Sequence, residues 1–154
     1  MIRAKLLACL IPALLLTLAL QADAGDKSDS KVKVTAKAGK AGADGKQKVT
    51  IQIAIEKNWY IYANPVKSED FEDNATRVNF LSGKEKLKSQ VSYPVGKTKE
   101  VGKIRYNIYE NSVTIEAIVD RKMGDTGPLT VAVEVNSCSG GTCLAPGIVR
   151  VMVP

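Results

Sequence analysis

The run Val49-Thr50-Ile51-Gln52-Ile53-Ala54-Ile55 decides the fold class of this chain. Aliphatic residues occupy every second position, and small or polar residues stand between them. Successive side chains of a strand point to opposite faces of a sheet, so this pattern predicts a β-strand with one buried face. The same period-two pattern returns over residues 113–119 and 129–135.

Shorter segments with strand character cover most of the remaining chain. They are residues 31–36, 59–63, 77–81, 90–93, 104–109 and 148–153. Turn signals such as Asn64-Pro65 and Ser82-Gly83 separate them, and no window has an apolar stripe at helical spacing. Eight or nine short strands in about 120 residues predict an all-β, immunoglobulin-like β-sandwich in preference to a closed barrel.

The N-terminus has the three parts of a secretory signal peptide. Arg3 and Lys5 precede an apolar run over residues 6–20, and Ala22-Asp23-Ala24 supplies small residues at the cleavage-site spacing. We expect a signal peptide over residues 1–24, a flexible leader over residues 25–30 and a single domain over residues 31–154. An uncleaved anchor is the alternative, although the apolar run is shorter than the roughly twenty residues that span a bilayer. Cleavage would also remove Cys9.

Composition argues against two classes of function. The net charge is +6, but the lysines are scattered among Asp and Glu instead of forming the basic patch that nucleic-acid binding needs. The chain has no histidine, and cleavage would leave two cysteines, whereas a structural zinc site needs four ligands. We therefore expect neither a nucleic-acid partner nor a bound metal.

The run Cys138-Ser139-Gly140-Gly141-Thr142-Cys143 places the two remaining cysteines on either side of a Gly-rich turn. In the oxidising environment of an exported protein, such thiols can form a disulfide. In the chain-entropy model, a bond that closes about six residues stabilises by only about 2 kcal/mol. An exposed turn is also open to attack by a partner's thiolate. A redox-active pair is favoured, and a disulfide that only staples a hairpin is the alternative.

Several segments together resemble the periplasmic N-terminal (alpha) domains of the thiol:disulfide interchange protein DsbD. They are Trp59-Tyr60-Ile61-Tyr62-Ala63-Asn64-Pro65, Tyr93-Pro94 with Gly96, Tyr109, and the cysteine turn with Leu144-Ala145-Pro146. The resemblance runs over about residues 31–154. It implies an immunoglobulin-like sandwich whose two cysteines pass electrons from a membrane-embedded or thioredoxin-like donor to periplasmic oxidoreductases.

The resemblance also implies roles for individual residues. Cys143 would be the attacking thiol and Cys138 the resolving one. Tyr60 and Tyr62 match paired tyrosines that lie beside the cysteines in the family, and Pro146 would end the turn.

A cap loop with an aromatic residue shields the cysteines in the family. The corresponding segment here is residues 100–106, in which Val101, Ile104 or Tyr106 would be the cover.

We therefore expect a periplasmic relay that uses no cofactor, a thiol-disulfide oxidoreductase in the broad sense. Longer family members add a membrane domain and a thioredoxin-like domain that these 154 residues do not include. The electron donor should thus be a separate protein, and contact with the membrane should run through a partner. The alternative is a non-redox immunoglobulin-like binding or assembly module with a structural hairpin disulfide.

Overall fold

The computed structural model describes residues 26–125 and 127–154. The predicted signal peptide, its cleavage site before Gly25 and Cys9 lie outside these residues. In the described part of the chain, no helix is both long enough and apolar enough to cross a membrane.

The described residues form thirteen strands and two short 3-10 helices. The helices are Ser28–Lys31 and Glu69–Asn74. The strands are β1 (Val32–Ala38), β2 (Lys46–Ile55), β3 (Tyr60–Tyr62), β4 (Arg77–Ser82), β5 (Glu85–Lys86), β6 (Ser89–Ser92), β7 (Lys97–Val101), β8 (Ile104–Glu110), β9 (Ser112–Asp120), β10 (Leu129–Val135), β11 (Ser137–Ser139), β12 (Thr142–Cys143) and β13 (Gly147–Val153).

The strands pair into three antiparallel sheets. Sheet 1 has the order β1-β2-β9-β6, sheet 2 the order β13-β10-β4-β5, and sheet 3 the order β12-β11-β3-β8-β7. All nine predicted strands are present, and the prediction of an all-β, immunoglobulin-like sandwich is confirmed. The sequence did not predict β5, β7, β11 and β12.

The main hydrophobic core is built from the period-two patterns. Ile51 of β2 lies opposite Ile115 of β9, and both side chains are fully buried. From sheet 2, Phe80 of β4 pairs with Val131 of β10, and these side chains are also fully buried. The alternating aliphatic residues of sheets 1 and 2 therefore meet in one core, which sheet 3 extends with Ile61.

The prediction of a flexible leader is wrong for residues 27–30. Ser28 is fully buried, and its hydroxyl accepts a hydrogen bond from the backbone N–H of Ser137 at 2.8 Å. Its own backbone N–H donates to the carbonyl of Ala145 at 2.9 Å. Gly147 leaves no room for a Cβ beside Asp29, so the segment lies directly against β13. Contacts distant in sequence order a stretch whose local composition is typical of disorder.

A buried arginine holds the connection between β9 and β10. The Arg121 side chain is 3% exposed and forms an ion pair with Asp125 at 3.0 Å. It also donates to the Gln47 side-chain oxygen at 3.0 Å and to the carbonyl of Gly127 at 2.7 Å. Each of these bonds pairs an N–H group of the guanidinium, whose burial without partners would be costly.

Because Asp125 is titratable, this network should make the free energy of unfolding depend on pH in the acidic range. The hydrogen bond from Arg121, followed by that from the backbone N–H of Gly127, lowers the pKa of Asp125 from 3.8 to about 2. The folded-state pKa lies below the unfolded one, so the stabilisation is present above about pH 4 and is lost as the pH falls through 2. Asp125→Asn should flatten the fall in unfolding free energy between these values, as measured by urea denaturation. Asp73→Asn, which removes an exposed carboxylate elsewhere, is the control; equal slopes for wild type and Asp125→Asn would refute the assignment.

Candidate functional site

The two cysteines face each other across a tight hairpin. β11 pairs with β12 so that Cys138 lies opposite Cys143 and Ser139 opposite Thr142. The turn between them consists of Gly140 and Gly141, whose φ angles are 57° and 86°. Positive φ at both central residues is the geometry of a type I′ turn, which glycine adopts without steric cost. The Gly-Gly pair thus fixes the register that brings the cysteines together.

Cys138 and Cys143 form a disulfide whose two sulfurs differ in exposure. The S–S distance is 2.03 Å. Cys138 is fully buried, whereas Cys143 is exposed. A thiolate that approaches from solvent can therefore reach Cys143, whereas the sulfur of Cys138 has no accessible surface.

Both ends of the hairpin are anchored by hydrogen bonds. Ser28 holds the residue before Cys138, and the backbone N–H of Leu144 donates to the carbonyl of Ser137 at 3.0 Å. The Ser139 hydroxyl donates to the carbonyl of Asn58 at 2.7 Å. These bonds place the disulfide firmly on sheet 3, and Ser28 is a contributor that the sequence did not reveal.

The structure brings Tyr60 and Tyr62 next to the disulfide, as the resemblance implied. Both lie on β3, which pairs with β11 and places Tyr60 opposite Cys138. The Tyr62 hydroxyl lies 3.8 Å from the Cys138 Sγ and 3.9 Å from the Cys143 Sγ. The sulfurs of a disulfide carry no proton, so the hydroxyl is the donor in both contacts. Burial and the neighbouring Tyr106 raise the pKa of Tyr62, so its hydroxyl stays protonated at neutral pH.

Two further aromatic residues complete this cluster. The hydroxyls of Tyr60 and Tyr106 are 3.3 Å apart, and burial, followed by this hydrogen bond, raises the pKa of Tyr60. The Phe71 ring centroid lies 5.3 Å from that of Tyr62 and 4.9 Å from that of Tyr106. Phe71 comes from the second 3-10 helix, for which the sequence pattern gives no signal.

A cavity of about 290 Å³ opens beside Cys143 among these rings. Its remaining lining comes mainly from the β7–β8 hairpin, through Lys99, Val101 and Ile104. The hairpin thus lies where a cap loop was expected. All three candidate covers line the cavity, but Val101 and Ile104 are 56% and 40% exposed while Tyr106 is buried. Pro146 is exposed and is not among the lining residues.

The arrangement suits sulfur exchange better than metal or acid-base chemistry. Within residues 26–125 and 127–154, no group of three or more His, Cys, Asp or Glu side chains is placed to hold a metal ion. The tyrosines beside the sulfurs can donate hydrogen bonds, which favour a charged thiolate. An exposed sulfur with a buried partner at bonding distance is what a two-step exchange requires.

Comparison with known proteins supports this chemistry. The family model described as "Thiol:disulfide interchange protein DsbD, N-terminal" matches residues 19–151. No curated protein matches the sequence.

Solved structures share the fold at low sequence identity. The N-terminal periplasmic domain of ScsB from Proteus mirabilis is 18% identical with a TM-score of 0.54, over 78% of this chain and 44% of that chain. The reduced DsbD N-terminal domain from Neisseria meningitidis is 16% identical with a TM-score of 0.51, over 80% of this chain and 85% of that chain. This chain therefore spans less than half of the ScsB chain that it matches. Because the family model covers well over half of the sequence, the chain belongs to the family of N-terminal domains of the thiol:disulfide interchange protein DsbD.

Proposed function

We propose that this domain is a thiol-disulfide exchange relay that carries two electrons through Cys138 and Cys143 between partner proteins of the periplasm. The observation that carries the proposal is the asymmetry of the disulfide, in which Cys143 is an exposed residue that lines a cavity and Cys138 is fully buried. Membership of the DsbD N-terminal family supports the same reading.

Reduction of the domain begins at the exposed sulfur. A thiolate of the donor attacks the Cys143 Sγ, the bond between the two cysteines breaks, and Cys138 leaves as a thiolate that takes up a proton. The donor's second thiolate then attacks the donor sulfur that is bonded to Cys143. This step releases Cys143 as a thiolate. The donor ends as a disulfide and the domain as a dithiol, so two electrons have moved.

Delivery of the electrons follows the same route in reverse. The Cys143 thiolate attacks a disulfide of the acceptor and forms a mixed disulfide. Cys138 then attacks Cys143, which restores the disulfide and releases the reduced acceptor. The Tyr62 hydroxyl lies within 4 Å of both sulfurs and would donate to whichever one carries the negative charge.

The donor that we propose is a thioredoxin-like or membrane-embedded protein or domain, and the acceptors are periplasmic oxidoreductases. Export would use residues 1–24 as a signal peptide, and residues 31–154, together with the 3-10 helix Ser28–Lys31 that packs against them, would form the working domain.

The reduction potential of the Cys138–Cys143 couple tests the proposal. A relay must be reducible by its donor, so we expect a potential above about −300 mV, the level below which structural disulfides of secreted proteins typically lie. The protein would be equilibrated with thiol-disulfide buffers, and the reduced fraction measured by alkylation and mass spectrometry of the peptide that contains Cys143.

A potential well below that level, together with resistance to reduced thioredoxin, would reject the relay. The domain would then be a binding or assembly module whose disulfide stiffens the β11–β12 hairpin.

A further inference from the structure

We propose that Lys99 is a positioning residue whose ammonium stabilises the thiolate of Cys143 once the disulfide is reduced. The proposal rests on the exchange function above and adds a residue that activates the attacking sulfur. The chain would then carry its own cation for activating the sulfur.

The first support is the position of the side chain. Lys99 lies on β7, and its Nζ is 4.2 Å from the centroid of the Tyr60 ring. A cation over an aromatic face is held there by the quadrupole of the ring. The same side chain lines the cavity that Cys143 also lines. The cation–π contact therefore holds the ammonium beside the cavity that Cys143 also lines.

The second support is that neighbouring cations form ion pairs with carboxylates, whereas Lys99 forms none among the described residues. Lys99 also lines an adjoining cavity with Lys57 and Glu110, but the Glu110 carboxylate is paired with Lys97. Lys97 pairs with Glu110 at 2.9 Å, and Arg105 pairs with Glu100 at 3.5 Å. In the described part of the chain, no carboxylate oxygen lies within 4.0 Å of the Lys99 Nζ.

No other described side chain places a formal charge in this cavity. Its other titratable groups are three tyrosines and Cys143 itself. The second 3-10 helix contributes only the neutral Phe71, and its four carboxylates are exposed: Glu69, Asp70, Glu72 and Asp73. The one anion that forms at the cavity during exchange is thus the Cys143 thiolate.

The chemistry of exchange gives such a cation a role in both directions. A thiolate is the nucleophile, and a nearby cation lowers the pKa of the thiol. When the donor reduces the domain, Cys143 departs as a thiolate in the second step; when the acceptor is reduced, the same thiolate attacks. For two charges that line one cavity of about 290 Å³, Coulomb's law with an effective dielectric between those of protein and water gives a pKa shift of about half to one unit, or about three- to tenfold more thiolate at pH 7.

The test is the pH dependence of Cys143 alkylation in the Cys138→Ala variant, which leaves Cys143 without its disulfide partner. Iodoacetamide is the probe, and the labelled Cys143 peptide is quantified by mass spectrometry. Lys99→Met should raise the pH midpoint of Cys143 alkylation by about half to one unit, and Lys99→Gln should do the same. Lys99→Arg should retain the original midpoint, because it keeps the charge.

Lys103→Met is the matched control, because it removes the same charge from an exposed position on the same hairpin that does not line the cavity. Its midpoint should shift by less than about 0.2 units, since exposed charges are screened. Equal shifts for Lys99→Met and Lys103→Met, or no shift for either, would overturn the proposal. A clear shift in a protein that fails to exchange with thioredoxin would keep the role of Lys99 and reject the relay instead, so the two failures are distinguishable.

Discussion

Replacing Cys138 with Ala should trap a mixed disulfide at Cys143, whereas replacing Cys143 with Ala should almost abolish it. The reason is the difference in burial: Cys143 is exposed, and Cys138 has no accessible surface. Reaction at Cys138 would first require local opening of the β11–β12 hairpin, so we expect it to be at least about a hundredfold slower. The partner is a single-cysteine thioredoxin activated as a mixed disulfide with a chromogenic thiol, and the covalent complex is followed on a non-reducing gel.

The two variants are matched controls for each other. Both lose the same disulfide, and the chain-entropy model gives a loss of about 2 kcal/mol for either. Their stabilities should therefore differ only by the packing lost at the buried Cys138, and a difference in trapping rate would report how readily each sulfur reaches and attacks the partner. Faster trapping in Cys143→Ala would reverse the roles of the two sulfurs. If neither variant trapped the partner and both lost several kcal/mol, the disulfide would be a staple.

Strands that bury one face could be predicted from the sequence, whereas strands that are exposed on both faces could not. β2 and β9 carry aliphatic residues at every second position, so the core between sheets 1 and 2 could be predicted from spacing alone. β7 reads Lys97-Thr98-Lys99-Glu100-Val101 and is largely exposed on both faces. A strand of this kind is held by backbone hydrogen bonds to β8, which leave no periodic signal in the side chains.

The site was predictable where its parts are local and hidden where they are brought together by the fold. Cys138, Cys143, Tyr60 and Tyr62 stood in two short motifs, and the structure places them in contact. The Gly-Gly pair between the two cysteines is a recognised hairpin signal, so the register of β11 and β12 could also have been inferred.

Ser28, Phe71 and Lys99 carried no comparable signal. Each lies far from the cysteines in sequence, in a segment that is polar and charged, and reaches them through contacts that only the folded chain makes.

Replacing Phe80 with Ala should destabilise the domain by about 3–5 kcal/mol, the usual range for truncating a fully buried phenylalanine. Phe80 has no exposed surface and lies in the core between sheets 1 and 2. Its removal leaves a cavity that the paired strands β4 and β10 cannot fill without breaking their register. The free energy of unfolding would be measured by urea denaturation. Natural domains are stable by only about 5–15 kcal/mol, so this loss is a large share of the total.

Phe71 is the matched control, because it is the other phenylalanine of the chain and belongs to a different cluster. It is partly exposed and packs on Tyr62 and Tyr106 outside the main core, so Phe71→Ala should cost only about 1 kcal/mol. The same change removes one wall of the cavity beside Cys143 and should speed alkylation of that thiol in the reduced protein, whereas Phe80→Ala should affect alkylation only through unfolding. If Phe71→Ala lowered the free energy of unfolding as much as Phe80→Ala, the aromatic cluster would be as important for stability as the main core. A small loss with faster alkylation would show that stability and access to the sulfur are controlled by separate parts of one domain.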